Sequence, residues 1–290
     1  MRLATYASVS AAITLILVKV IAWWITGSVA LLSSLVDSLL DAAASVITLL
    51  AVRQSLTPAD AEHRFGHGKA EALAALLQAG LITGSALFIV FESLPRLVDP
   101  EPVESGGLGV AVMLFSIVVT FALTRFQAYV VKHTSSTAIQ ADALHYLADL
   151  LTNSGVIIAL LLATQLGWHL ADPIIALIIA GYIFWSALQI GRHAFDMLMD
   201  RELPDEQRAH ILEVARRHPS VLGVHELKTR QSGQRVFIQL HLELEGSMNL
   251  YRAHAIADTV EAELETHFPG AEVIIHQDPY VLSEDTPVYR

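Results

Sequence analysis

Six long apolar segments constrain this chain more than any other feature of its 290 residues. Each is long enough for a helix to cross the roughly 30 Å hydrocarbon core of a bilayer, which takes about 20 residues. Three stretches, 72–91, 105–124 and 150–171, contain no Asp, Glu, Lys or Arg. We therefore predict an α-helical membrane protein with six transmembrane helices. The predicted spans are 5–26, 29–52, 70–95, 107–129, 138–165 and 171–194.

The distribution of Lys and Arg predicts how these spans are oriented. Loops rich in Lys and Arg stay on the cytoplasmic side of a membrane. With the N-terminus inside, the inner side collects eight such residues, whereas the outer loops hold only Arg96. Six spans return the chain to the inside, so we expect both termini in the cytoplasm. The inner residues are Arg2, Arg53, Arg64, Lys69, Arg125, Lys132, Arg192 and Arg201.

The C-terminal region differs in composition from the six spans. It is acidic, in a chain whose formal charge is −11, and it holds 7 of the 13 histidines. We predict a transmembrane domain over 1–202 and a cytoplasmic domain over 203–290. Its pattern is a helix from Pro204, a strand, a hairpin at 231–234, an alternating strand over 236–244, a helix over 249–267 and a strand over 272–276. This αββαβ order is close to a ferredoxin-like or metallochaperone-like fold that lacks its first strand.

Composition also excludes several kinds of site. The chain has no cysteine, so disulfides, thiolate metal ligands and iron–sulfur clusters are excluded. The acidic balance without a basic cluster argues against nucleic acid as a partner. No segment fits the Gly-x-x-x-x-Gly-Lys-Ser/Thr phosphate loop of nucleotide-driven pumps. Any metal site must therefore use His, Asp and Glu, and we expect transport that needs no ATP.

Two predicted spans carry ionisable pairs that are expensive to place inside a membrane. Asp37 and Asp41 lie on the second span, and His145 and Asp149 on the fifth. Residues four apart lie on one helix face, so two facing helices can present three carboxylates and an imidazole to one point. This ligand set suits a divalent transition metal, with Zn²⁺ first. The alternative is that these residues only pair with one another or with hydroxyls in helix packing, which four matched ionisable groups make costly.

Beyond these two pairs, three further sets of ionisable residues are considered as candidate functional groups. Asp142, one turn before His145, is expected to be a solvated helix start near the inner interface, with an entry relay as the alternative. In the loop between spans two and three, Asp60, His63 and His67 can close on one metal, although solvated loop histidines are the alternative. In the C-terminal region a second group can converge on one surface, with ordinary surface histidines as the alternative. That group is His225, His241, His254, His276 and Asp278.

The sequence resembles the cation diffusion facilitator family, and most closely its bacterial branch of zinc and ferrous-iron efflux pumps. The blocks that carry the resemblance span nearly the whole chain. They include 35–41 (LVDSLLD), 65–71 (FGHGKAE), 144–146 (LHY), 203–206 (LPDE), 229–233 (TRQSG) and 274–279 (IIHQDP).

The resemblance implies roles for particular residues. The family's transport site falls on Asp37, Asp41, His145 and Asp149, its loop site on Asp60, His63 and His67, and its cytoplasmic two-metal site on the five C-terminal residues named above. Members are homodimers, and the charge interlock of the dimer falls on Lys69 and Asp200. The resemblance also implies a bacterial inner membrane location and efflux of Zn²⁺, Fe²⁺ or Cd²⁺.

These observations together predict a secondary transporter that exports a divalent metal in exchange for protons and is not an enzyme. Metal ligands must be deprotonated, so metal binding and proton release are linked. One alternative is a transporter of the same family with Fe²⁺ or Mn²⁺ as its physiological substrate. Another is a metal sensor that the membrane part merely anchors. A membrane metalloenzyme is a third, but no His-Glu-x-x-His helix is present.

Overall fold

The computed structural model describes residues 1–99, 107–168 and 170–280. Its α-helices and β-strands follow the predicted order, and all six predicted spans lie within helices. The helices of the first part are α1 (Arg2–Thr26), α2 (Val29–Ser55), α3 (Lys69–Val98), α4 (Gly107–Thr134), α5 (Thr137–Leu166) and α6 (Ala171–Leu198). The elements of the second part are α7 (Asp205–Ala215), β1 (Gly223–Ser232), β2 (Arg235–Glu245), α8 (Leu250–His267) and β3 (Glu272–Tyr280).

The first six helices are each long and apolar enough to cross a membrane. Large apolar side chains such as Trp24, Phe88 and Phe91 point outward and are exposed, which suits a surface whose solvent is lipid. The inner faces carry small residues instead, among them Ala75, Ala79 and Ala86 of α3. Small residues let transmembrane helices approach closely. Close packing holds such helices together, because the lipid provides no hydrophobic driving force for their association. The chain is therefore an integral membrane protein.

The first two helices form a hairpin. Gly27 ends α1 in the left-handed conformation, at φ 64°, and donates its backbone N–H to the carbonyl of Trp23 at 2.7 Å. Glycine reaches this conformation without a steric penalty. Helix α1 also packs against α4, and α5 packs against α2, α3 and α4. The two helices that carry the ionisable pairs, α2 and α5, are thus direct neighbours.

The chain divides into two compact units, Met1–Phe195 and a second that begins at Asp196. In the second unit, β2 lies at the centre of a three-stranded sheet. It pairs antiparallel with β1 and parallel with β3. The parallel pair follows from the missing first strand: β3 is reached through the α8 crossover and takes the place beside β2.

One face of this sheet is apolar and covered by the two helices. Ile238, Leu240, Leu242 and Leu244 of β2 are buried, as the predicted alternation requires. They pack in one core with the buried residues of α7 and α8, which are Ile211, Val214, Ala215, Ile256, Val260 and Leu264. The opposite face carries the polar residues of the strands, together with Phe237, whose ring lies under the guanidinium of Arg230.

Candidate metal centres

The polar face of the sheet carries a row of three histidines. His225 of β1 lies opposite His241 of β2, and His241 lies opposite His276 of β3. The ring centroids of neighbouring histidines are 5.1 and 4.6 Å apart. Partners directly opposite one another place their side chains on the same face of a sheet, so the topology converts three distant sequence positions into one row.

Asp278 completes this row, because it lies two residues after His276 on the same face. Its Oδ2 is 2.8 Å from His241 Nδ1 and 3.2 Å from His225 Nε2, and its Oδ1 is 3.1 Å from His276 Nε2. Ligand atoms of His225, His241 and Asp278 all lie within 4.8 Å of one another. We call His225, His241, His276 and Asp278 the cytoplasmic cluster.

The charges around Asp278 favour its ionised form. Partial burial acts to raise the pKa of this carboxyl group, but the hydrogen bond from His241 and the charges of His276, His241 and His225 outweigh it, so the pKa is lowered. An ionised carboxylate beside imidazoles is a ligand set for a divalent transition metal.

His254, the fifth residue predicted for this site, is not brought into the cytoplasmic cluster within one chain. It lies on α8, where its Nδ1 is 3.4 Å from Asp258 Oδ1, and its side chain is 67% exposed. Sequence reasoning missed two acidic neighbours. Glu243 lies 3.6 Å from His225 and Glu226 lies 3.9 Å from His241. Glu243 sits on the polar face of β2, so the strand alternation could have identified it.

The inner loop brings Asp60, His63 and His67 together, and we call them the loop cluster. Asp60 Oδ1 accepts the backbone N–H of His63 at 2.6 Å, and His67 Nε2 lies 3.3 Å from Asp60 Oδ2. Ligand atoms of all three lie within 4.8 Å of one another. Gly66, at φ 79°, supplies the left-handed turn that brings His67 back towards Asp60.

Two details of the loop cluster suit a metal site. The hydrogen bonds that the backbone N–H groups of His63 and Glu62 donate lower the pKa of Asp60 more than its slight desolvation raises it. The other ring nitrogen of His67, Nδ1, is 3.4 Å from the carbonyl oxygen of Thr57. Such a bond fixes which nitrogen of a histidine faces a metal.

The membrane-spanning unit holds the third group, which we call the intramembrane cluster: Asp41, His145 and Asp149. His145 Nε2 and Asp41 Oδ1 are 2.7 Å apart, within hydrogen-bonding distance. The ligand atoms of the three residues lie within 4.8 Å of one another. The side chains of Asp41 and His145 are each 17% exposed. Asp37 lies one turn from Asp41 on α2, is exposed, and falls outside this grouping of ligand atoms.

The expectation for Asp142 was wrong. This residue is buried, at 1% exposed, and its carboxylate lies at the centre of a polar network that joins five helices. Gln78 and Gln127 donate to it at 3.2 and 2.7 Å, and the hydroxyls of Ser8 and Ser45 donate at 2.6 and 3.3 Å. Asp142 lies on the side of α5 that packs against the other helices. Its neighbours are therefore side chains of those helices and not water at the membrane interface.

Sequence reasoning also missed Lys19 of α1. Its side chain is buried, and Nζ donates to the carbonyl oxygen of Ser34 at 3.1 Å and to the hydroxyl of Ser38 at 2.6 Å. Both acceptors belong to α2, the helix that carries Asp37 and Asp41. A lone lysine within an apolar span was the available signal, because such residues are costly and usually functional.

The predicted interlock residues lie in different units of the chain. Lys69 is the first residue of α3. Asp200 follows α6 at φ 54°, and its Oδ1 is 3.3 Å from Arg230 Nη1. Their pairing between two subunits stays a prediction.

Two family profiles match the chain. The first, described as the cation efflux transmembrane domain, matches residues 5–199, and the second, described as the cytoplasmic domain of cation efflux proteins, matches residues 203–280.

Curated relatives match over nearly their full lengths. The cation-efflux pump FieF of Klebsiella pneumoniae is 51% identical over 95% of this chain and 92% of its own. FieF of Citrobacter koseri is 49% identical over 96% and 93%. A solved structure from a study of the mode of action of CzrB is 36% identical and covers 27% of this chain and 99% of its own. Its TM-score of 0.26 is too low to support a structural argument.

Proposed function

The chain belongs to the cation efflux family, and from this membership we propose that it exports a divalent metal ion from the cytoplasm in exchange for protons. The observation that carries the proposal is the intramembrane cluster of Asp41, His145 and Asp149. Two carboxylates and an imidazole gather between two membrane-spanning helices. Ionisable groups at such a position mark ion pathways and proton relays by default.

The short contact between His145 and Asp41 supports the exchange of metal for protons. At 2.7 Å the protonated imidazole of His145 donates its Nε2 hydrogen to Asp41. A metal ion bound to both atoms takes the place of that hydrogen, because ligands bind metals in their deprotonated form. Metal captured from one side therefore releases a proton, and protons supplied from the other side expel the metal. Rocking of helices around the site then gives alternating access.

The chemistry of the donors favours Zn²⁺, with Fe²⁺ and Cd²⁺ as further substrates. Oxygen and imidazole ligands without thiolates accept all three ions, and ligand type ranks affinity without fixing the ion carried in the cell. A family member that carries Fe²⁺ or Mn²⁺ is the alternative, which the relatives named only as cation-efflux pumps leave open.

We propose a homodimer in which each chain has a transmembrane domain over 1–202 and a cytoplasmic domain over 203–290. The two family profiles, which end at 199 and begin at 203, support this boundary. Both termini face the cytoplasm, as the distribution of Lys and Arg indicates, and the bacterial relatives support a location in a bacterial inner membrane. Lys69 and Asp200 form the charge interlock between subunits.

The loop and cytoplasmic clusters bind regulatory metal in this proposal. Metal that binds only in the closed dimer shifts the population towards that state. His254 is exposed and lies outside the cluster of its own chain, so we place it as a ligand to the cluster of the second subunit. Asp37 joins Asp41, His145 and Asp149 as the fourth transport ligand when metal is bound.

The test is a transport assay with the full chain in lipid vesicles. The vesicles contain a Zn²⁺-sensitive dye, a pH gradient is imposed, and the wild type is compared with Asp41→Asn. We expect Zn²⁺ uptake coupled to proton movement in the wild type and a loss of about 100-fold in the variant, which removes one ligand charge but keeps the side-chain shape.

The matched control is Asp172→Asn, at the start of α6, where the carboxylate pairs with Arg96 at 3.8 Å. It should transport as the wild type does. A wild type that moves no divalent metal contradicts the proposed function. If Zn²⁺ transport does not depend on the pH gradient, only the exchange for protons is contradicted, and metal export still stands.

A further inference from the structure

Lys19 is the one buried lysine or arginine among residues 1–99, 107–168 and 170–280. It lies on α1, inside the membrane-spanning unit, and its ammonium group is held against α2 by the Ser34 carbonyl and the Ser38 hydroxyl. Ser38 follows Asp37 and precedes Asp41 by less than one turn. The structure thus anchors a positive charge on the helix that supplies two of the predicted transport ligands.

The charge of Lys19 acts on all three carboxylates of the transport site. Burial disfavours the ammonium form of Lys19, and the carboxylates of Asp41, Asp149 and Asp37 oppose this by attracting its positive charge. The two hydrogen bonds to α2 are neutral, so they hold the ammonium in place without cancelling its charge. Inside a medium of low dielectric, such a charge contributes to the energy of any ion in the neighbouring site.

We propose that Lys19 is the charge-balancing residue of the cation site, which sets the net charge of the empty site at minus two. With every ligand in the deprotonated form in which it binds a metal, three carboxylates and one ammonium leave two negative charges, and the neutral His145 adds none. One divalent cation neutralises this site, and so do two protons. The inference rests on the proposed function, because it concerns the same site.

Charge balance makes Lys19 a residue that determines specificity. A site with no net charge when loaded is the least costly to move or close within a membrane. A monovalent ion leaves one negative charge, and a trivalent ion leaves one positive charge. Without Lys19, the site would prefer a trivalent ion and would hold a divalent ion too tightly to release it readily.

The test compares Lys19→Gln with Lys19→Arg in vesicles that contain the full chain. Glutamine retains a donor for Ser34 or Ser38 but removes the charge, and arginine keeps the charge. For Lys19→Gln we expect the KM for Zn²⁺ and the maximal rate each to fall by about tenfold or more. La³⁺, added as a competitor, should inhibit this variant at about tenfold lower concentration than it inhibits the wild type.

The arginine variant should resemble the wild type in all three measurements, and so should the matched control Lys132→Gln, which removes an exposed charge from the last turn of α4. Unchanged KM and La³⁺ sensitivity in Lys19→Gln overturn the proposal. Equal changes in the Gln and Arg variants also overturn it, since the contacts and not the charge would then be responsible.

Zn²⁺ titration of detergent-solubilised chains separates this inference from the proposed function. Asp60→Ala and Asp278→Ala disable the other two clusters in every chain titrated. A tighter Zn²⁺ site in Lys19→Gln than in its Lys19 parent supports charge balance even if no transport is detected. Equal affinities overturn it even if transport is normal.

Discussion

The intramembrane and cytoplasmic clusters use the same kinds of side chain in opposite settings. The first is built from Asp41 of α2 and from two residues four apart on α5, and its Asp41 and His145 side chains are each 17% exposed. The second is built across three strands, from positions 225 to 278, and its His225 and His276 side chains are 42% and 64% exposed.

The difference in burial separates two tasks. In a buried cluster, only the neighbouring side chains can compensate the charge of an arriving ion. The ion therefore takes the place of protons on these ligands, and protons can displace it again. In an exposed cluster water and dissolved ions supply part of that compensation. We therefore expect exchange at the intramembrane cluster and equilibrium binding at the cytoplasmic cluster.

The largest effect should be a loss of stability on substitution of Asp142. This residue is buried in the membrane-spanning unit, like the intramembrane cluster, but it is not one of the metal ligands. Asp142→Ala removes the acceptor that the amides of Gln78 and Gln127 share with two serine hydroxyls, and each amide nitrogen keeps only its one other acceptor. Since a buried unsatisfied donor costs about 1–3 kcal/mol, we expect a loss of about 3 kcal/mol or more in the free energy of unfolding, measured in mixed micelles.

The control is Asp258→Ala, which removes an exposed carboxylate of the cytoplasmic domain near His254. It should change the free energy of unfolding by less than about 0.5 kcal/mol. Equal losses of unfolding free energy in Asp142→Ala and Asp258→Ala would mean that the burial of Asp142 does not make it more important for stability than an exposed carboxylate.

The second effect concerns transport. Asp149→Ala removes a ligand of the intramembrane cluster, and we expect the Zn²⁺ transport rate to fall by about 100-fold, since lost metal-site interactions cost this much. Asp278→Ala removes the central carboxylate of the cytoplasmic cluster and should retain the rate within about threefold at saturating Zn²⁺. A larger loss in Asp278→Ala than in Asp149→Ala would reverse the assignment of the two tasks.

A smaller effect should follow from Gly66→Ala in the loop cluster. Alanine at φ 79° costs about 1–2 kcal/mol, so the turn that returns His67 to Asp60 should loosen. We expect faster hydrogen exchange over residues 57–68 and weaker metal binding there. Gly80→Ala on α3, where an added Cβ meets nothing within 4 Å, is the control and should leave loop exchange unchanged.

The smallest effect is a pH dependence of the cytoplasmic cluster. The pKa of Asp278 is lower in the folded chain than its reference value of 3.8. Its ionised form therefore contributes stability that is fully present above pH 3.8 and is lost as the pH falls through the folded pKa. The contribution should be less than about 1 kcal/mol.

Acid unfolding of the metal-free chain, followed by hydrogen exchange in β3, measures this contribution. The wild type should lose protection of β3 below pH 3.8 more steeply than Asp278→Asn does. An Asp278→Asn variant with the same acid profile as the wild type would mean that the three histidines do not stabilise the carboxylate.

Local patterns predicted most of the fold. Length and hydropathy gave the six membrane helices, and alternation in 236–244 gave the buried face of β2. The pairs of Asp37 with Asp41 and of His145 with Asp149 predicted which faces of α2 and α5 carry ligands. These predictions depend only on the periods of a helix and a strand, which the sequence displays directly.

The residues that sequence reasoning misjudged or missed depend on neighbours distant in the chain. Asp142 was expected at a solvated helix start, but its environment is set by side chains from four other helices. Lys19 is 15 and 19 residues from its two partners. A one-dimensional pattern shows that such a residue is unusual, but not which groups satisfy it.

The sequence alone therefore determined the membrane spans, the order of elements in the second unit and the chemical types of ligand available without cysteine. Only the tertiary structure decided which of these ligands meet. The pairing of β2 with both β1 and β3 aligned His225, His241 and His276 in one row, and helix packing brought Asp41 to His145. The physical reason is that local periodicity fixes the direction of a side chain within its element, whereas packing between elements fixes its neighbours.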